Sequence, residues 1–277
     1  MLTYLIFSQY QEPHDGWFPF RVNFPDSQIN YLHIGQYVLD PPAGKYGRVV
    51  RIGNHLYFAN TGKRARFYGD VLALTGSLPP ETMAHTIAAT IAKNGYNIIR
   101  IHHLDRHITT SNRSDSLNPA QLNRLDKLTS ELKKRGIYYF FDMLDNKRFR
   151  PNDGIPAWDT LNVVTAPNYY PQRPALVTMF YEPATRLLKT YLWNLLTNTN
   201  PYTNIKYKDD PAVVALMVVN EGSLIDHQFW RNWSNPNNTN YYLPKFYRDY
   251  LDTLWNRFLI SKYGNTTNLV NAWACNV

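Results

Sequence analysis

The chain has 277 residues, 44% hydrophobic and 18% charged, a composition that folds rather than staying disordered. Its 29 Lys and Arg against 21 Asp and Glu leave a formal charge of +8, but the basic residues are scattered. The densest group, Lys133-Lys134-Arg135, closes a helical pattern where cations complement the helix dipole, so nucleic acid is not an expected partner. One cysteine, Cys275, excludes a disulfide framework and any Cys-rich metal centre.

Residues 1–17 carry no basic leading segment, and Glu12, His14 and Asp15 interrupt them. They do not read as a secretory leader, and the compartment stays open. The first 65 residues read as an irregular arm followed by a β-hairpin. In the hairpin, two short alternating runs (47–52 and 55–59) flank Gly53-Asn54. A third strand is expected over 66–74.

From residue 66 the pattern alternates strand and helix four times. Pro79-Pro80 opens a helix ended by Gly95, with Met83, Ile87 and Ile91 expected on its buried face. A buried strand follows over 96–101. Asn118-Pro119 starts the next helix, with Leu122, Leu125, Leu128 and Leu132 inward and Gly136 at its end. Strand 137–144, helix 183–196, strand 212–219 and helix 243–263 complete the series. The run 212–219 is the most apolar, yet far short of the ~20 residues that cross a membrane, so no membrane partner is expected. Such alternation predicts an α/β fold with a parallel sheet, either a (β/α)₈ barrel or an open doubly wound sheet. Two long loops, 145–181 and 222–242, read as unstructured and functional, and they leave the strand ends where barrels build their sites.

Three groups at those strand ends can carry chemistry. Asn220-Glu221 leaves the most apolar strand. Shielding there would suit Glu221 to general-acid work, and the alternative is an ordinary strand-terminal cap. Arg100, His102 and His103 end the second strand. An inward Arg100 requires a carboxylate partner nearby. A metal site from His102, His103 and His107 is disfavoured, because adjacent residues of a strand point to opposite faces. Neither metal nor cofactor is therefore expected. Asp142 and Asp145 end the third strand, either as binding groups or as common strand exits. The aromatics Trp158, Tyr169, Tyr170, Trp230, Trp233, Tyr241 and Tyr242 suit sugar stacking or loop packing equally. No phosphate-binding glycine loop and no GxSxG elbow is present.

Several segments taken together resemble a known family. They are Pro42-Ala43-Gly44-Lys45-Tyr46-Gly47, the stretch Gly62-Lys63-Arg64-Ala65-Arg66-Phe67-Tyr68-Gly69, and Arg100-Ile101-His102-His103-Leu104-Asp105. Asn200-Pro201-Tyr202-Thr203-Asn204, Tyr207-Lys208-Asp209-Asp210-Pro211 and Asn220-Glu221 follow in order. In sequence and spacing they are similar to clan A glycoside hydrolases, cellulase-like and near family five. The likeness runs from about residue 17 to the C-terminus. It implies a TIM-type (β/α)₈ barrel and retaining cleavage of β-glycosidic bonds in a poly- or oligosaccharide. It also implies Glu221 as general acid/base, Asn220 orienting it or binding sugar, Arg100 supporting the nucleophile, and His102 and His103 lining the cleft. Asp70 departs from the Gly-x-Asn that often ends the first strand of such proteins.

Retaining hydrolysis needs two carboxylates about 5 Å apart. In clan A the second leaves strand seven, whereas four repeats already fill residues 66–277. The chain therefore reads as the front half of a barrel with its nucleophile outside it. A half barrel leaves an apolar sheet face open, so self-association is expected. A non-catalytic carbohydrate-binding protein is the alternative.

Overall fold

The computed structural model describes residues 33–163, 172–221 and 243–274. Most of the N-terminal arm and the aromatics Tyr169, Tyr170, Trp230, Trp233, Tyr241 and Tyr242 lie outside the described residues, as does Cys275.

A one-turn helix α1 (Gly35–Val38) precedes the antiparallel hairpin of β1 (Val49–Ile52) and β2 (His55–Phe58). Gly53 turns that hairpin at φ 58°, a conformation that costs a residue without Cβ little. The β/α series follows as β3 (Gly69–Leu72), α2 (Glu81–Lys93), β4 (Ile98–Ile101), the single turn α3 (Leu104–His107), α4 (Pro119–Lys134) and β5 (Tyr138–Asp142). After β5 come α5 (Trp158–Leu161), α6 (Gln172–Phe180), α7 (Glu182–Thr197) and a two-residue ladder of β6 (Thr199–Asn200) with β7 (Ile205–Lys206). β8 (Val213–Met217), α8 (Lys245–Tyr263) and α9 (Thr266–Trp273) complete the described chain. The segment expected to be structureless after β5 thus contains two helices.

Strands β3, β4, β5 and β8 form one parallel sheet in that order. Neighbours in space are successive repeats in sequence, with no reversal of strand order. A doubly wound sheet needs such a reversal, so this is the winding of a TIM-type (β/α) barrel, present here as a four-stranded arc. Right-handed crossovers put every connecting helix on one face of such an arc.

The covered face is the core. Ile99, Ile101, Tyr139 and Phe141 alternate toward the helices and are fully buried. They pack with Ala84, Ala88 and Ile91 of α2, Leu125, Leu128 and Leu132 of α4, and Leu188, Tyr191 and Leu195 of α7. Each fully buried large apolar side chain contributes about 1.5–3 kcal/mol. Asn118 caps α4, its Oδ1 accepting from the backbone N–H of Ala120 and Gln121 at 3.0 and 3.2 Å. The face expected on α2 is rotated. Alanines pack closest to the sheet, and Met83 is 42% exposed.

A polar clamp ties α4 and β5 to the chain before β8. Asn200 Nδ2 donates to the Asp126 carbonyl, the Tyr207 hydroxyl donates to Asp126 Oδ1 at 2.7 Å, and the Tyr139 hydroxyl donates to Asp210 Oδ2 at 2.6 Å. Residues 200–211, part of the family resemblance, therefore serve architecture rather than the strand ends. The hairpin contributes Phe58, which packs with Phe67 on the Tyr138 ring at the N-terminal end of β5.

The most apolar run, expected to be a buried strand, is only partly covered. Leu216 is 40% exposed, and Val218 just beyond β8 is 52% exposed. Neither packs into the described core clusters, whereas Ala212, Val213, Val214 and Val219 of the same run do.

Candidate active site at the strand ends

Arg100 sits on the uncovered face of β4, opposite Phe140 in register, with its guanidinium 5.6 Å from that ring. Two residues on, at the end of β5, Asp142 presents its carboxylate on the same face. Arg100 Nη2 donates to Asp142 Oδ2 at 2.5 Å and to Asn220 Oδ1 at 2.7 Å, and lies 3.6 Å from Met217 Sδ. The carboxylate that Arg100 required is thus Asp142, whose side chain is fully buried. Strand parity makes this legible: a carboxylate two residues beyond the residue facing Arg100 shares its side of the sheet.

His102 continues the ladder, its backbone N–H donating to the Leu72 carbonyl at 2.9 Å, and its Nδ1 hydrogen-bonds Asp142 Oδ2. His103 adopts the left-handed conformation at φ 58°. That one torsion breaks the alternation on which the metal reading was set aside. The two imidazoles do not diverge; their ring centroids lie 3.7 Å apart. His103 Nε2 meets Asp145 Oδ2 at 2.8 Å, and His102 Nε2 lies 3.9 Å from the same oxygen. One ligand atom each from His102, His103 and Asp145 falls within 4.8 Å of the others, so these three are the described residues that could hold a metal ion. His107 is not among them. It sits near Arg106, Arg148 and Arg150, and burial followed by those cations holds its imidazole below the usual range. Burial also lowers His103, with Asp145 opposing.

Asn220 ties the last strand to this group. Its Nδ2 donates to Asp145 Oδ1 at 2.6 Å, and its backbone N–H donates to the Leu144 carbonyl at 2.8 Å. It thereby bonds both Arg100 and Asp145. Glu221 follows at φ 48° with an exposed side chain. The shielding expected around it is absent among the described residues, and Leu216 and Val218 on the strand it leaves are exposed as well. The structure brings Arg100, His102, His103 and Asn220 together, and it leaves Glu221 exposed where the sequence predicts shielding. Asp70 lies apart, exposed on the edge strand.

Non-glycine residues at positive φ follow three of the four parallel strands: Leu74, His103 and Glu221. Such conformations cost roughly 1–3 kcal/mol each and persist where the surroundings over-determine them.

A buried support that sequence reasoning missed lies beneath the site. Asp105 accepts from the backbone N–H of Asp145 at 3.0 Å and of Asn146 at 3.1 Å, fixing the loop that carries Asp145. Burial raises the Asp105 carboxyl to about 7 against those bonds, and burial lowers Lys147 to about 8. The Lys147 ammonium donates to the Ser114 carbonyl at 3.1 Å. Buried ionisable residues near a strand end give no periodic signal, so only the fold reveals them. An open depression of about 390 Å³ runs along the uncovered face past Gly69, Asp70, Val71, Ile98, Arg100 and Phe140.

No protein-family model matches the chain, and no curated protein matches it. Among solved structures it is similar to an endo-1,4-β-mannanase from Rhizomucor miehei, with 17% identity and a TM-score of 0.46, covering 64% of this chain and 49% of that one. It is also similar to an endo-β-1,4-mannanase from Thermotoga petrophila, with 16% identity and a TM-score of 0.40, covering 56% of this chain and 34% of that one. The chain spans about half and about a third of those two proteins.

Proposed function

We propose that this chain supplies the first four β/α units of a retaining glycoside hydrolase acting on a β-linked poly- or oligosaccharide. Glu221 is its general acid/base, and the nucleophile comes from a strand outside the chain. The observation that carries the reading is the network of Arg100, Asp142, His102, Asp145 and Asn220 across three strand ends. It is a rigid, polar, partly buried floor of the kind that orients sugar hydroxyls, and it sits at the end of the sheet where barrels build their sites. Glu221, directly after Asn220, stands at its rim. The cellulase-like sequence motifs support the same reading.

The uncovered inner face is completed by further strands in the working enzyme. In the isolated chain it self-associates. The test has two arms. Titration of the chain with β-1,4-linked oligosaccharides should show binding that Arg100→Ala weakens. With the completing strands supplied, Glu221→Gln should lower turnover of natural substrates by about 10²–10⁴-fold, the range of general-acid catalysis. Unchanged turnover in Glu221→Gln would remove the acid/base assignment.

One observation favours a second reading. Glu221 is exposed, which suits a non-catalytic sugar-binding protein. Oligosaccharide binding without hydrolysis in the completed protein would select it.

A further inference from the structure

The geometry points to a binding site for a divalent transition-metal ion of the zinc class, built by His102 Nε2, His103 Nε2 and Asp145 Oδ2. It is independent of the glycosidase reading, and neither requires the other.

Spacing is the first argument. A tetrahedral zinc ion with bonds of about 2.0–2.2 Å holds its ligand atoms about 3.3–3.5 Å apart. The Asp145 oxygen lies 2.8 Å from one imidazole nitrogen and 3.9 Å from the other, which brackets that separation. The three ligand atoms all lie within 4.8 Å of one another.

The supporting shell is the second argument. His102 Nδ1 is committed to Asp142, which assigns the proton to Nδ1 and leaves the Nε2 lone pair for an ion. This carboxylate–imidazole pairing is the outer support that metal-bound histidines normally have. Asp142 is itself held by Arg100. Asn220 occupies Asp145 Oδ1, leaving Oδ2 directed at the two histidines.

Charge and access agree. With neutral imidazoles, Asp142, Asp145 and Arg100 sum to one net negative charge, which attracts a cation. The ligand side chains are 11–15% exposed, enough for an ion to enter and little enough to keep bulk water out. In the metal-bound form the neutral His103 keeps its one proton on Nδ1, which leaves the Nε2 lone pair to take the metal. Three protein ligands leave a fourth position for water or a substrate oxygen. Two imidazoles favour zinc-like ions over magnesium or calcium, which prefer oxygen.

The test uses the full chain, stripped with a chelator and titrated without sugar. Zn²⁺ is measured by competition with a chromogenic chelator, and Co²⁺ by its ligand-field bands. One ion per chain is expected, with intense bands of tetrahedral type. His103→Asn should weaken binding by more than tenfold while keeping a residue that tolerates positive φ. Asp145→Asn should do the same, and Asp142→Asn should weaken binding roughly 10–100-fold through His102. His107→Gln should bind as the parent does. Affinity unchanged in His103→Asn, or no stoichiometric binding by a chain with intact circular dichroism, overturns the site. Oligosaccharide titration of the metal-free chain tests the glycosidase reading separately, so the two failures are distinguishable.

Discussion

The two faces of the parallel sheet come from the same strands and obey the same alternation, yet they end in opposite states. On one face Ile99, Ile101, Tyr139 and Phe141 are sealed by α2, α4 and α7. On the other, Val71 is 46% exposed, Arg100 and Phe140 are half-buried, and an open depression runs between them. Alternation decides which residues share a face. It does not decide whether a second layer arrives to cover it. The covered face carries the stability, and the uncovered face carries the polar side chains at its strand ends.

Truncation on each face should break this comparison most sharply. Phe141→Ala should cost about 3–5 kcal/mol, as large-to-small changes in sealed cores do. Phe140→Ala, one residue away, should cost less than half of that because its ring is already partly in water. Urea midpoints measure both, and equal losses would mean that the faces do not differ. Next in size is Arg100→Met, which leaves the buried Asp142 carboxylate without its cation. Because the Arg100 side chain is 29% exposed, the expected loss is about 2–3 kcal/mol, below that of a fully buried pair.

A third outcome concerns pH. The folded-state carboxyl of Asp105 is raised to about 7 by burial, so the native state holds a proton that the unfolded chain releases near pH 4. Stability from this group is full below about pH 4 and is lost as pH rises through 7. Lys147 acts in the other direction. Its lowered value of about 8 makes the native state gain stability as pH rises from about 8 to 10. Asp105→Asn should flatten the decline between pH 4 and 7, measured as the denaturant midpoint against pH, while leaving the alkaline rise in place. An unchanged profile would mean that Asp105 does not titrate as a buried group.

The smallest change in folding energy belongs to the open face. Val71→Lys should move stability by about 0.5 kcal/mol or less, as surface substitutions do. The proposed self-association should nevertheless shift toward monomer in sedimentation velocity. A parent chain that is already monomeric at high concentration would end that proposal.

Much of the fold was legible because its signals are local. Pro79-Pro80 and Gly95 bracket α2, Asn118-Pro119 and Gly136 bracket α4, and apolar β-branched runs mark β4 and β8. Part of the site was legible as well. Arg100 on a buried strand demanded a carboxylate, and Asp142 meets that demand. Of the clamp, Tyr207 and Asp210 were legible only through a resemblance, and Asp126 was not legible at all. The clamp's bonds join residues some 70 to 80 positions apart, which no periodicity encodes.

Residue order by itself thus determined the repeat, the parallel sheet and the strand ends at which polar groups gather, because helix and strand signals depend on near neighbours. Tertiary structure alone decided three things. The left-handed turn at His103 set the two imidazoles side by side, a backbone choice held in place by contacts distant in sequence. The burial of Asp105 and Lys147 beneath the site depends on elements closing over them. The exposure of Glu221 goes with that of Leu216 and Val218 on the strand it leaves, and burial is a property of what packs on a residue, not of the residue itself.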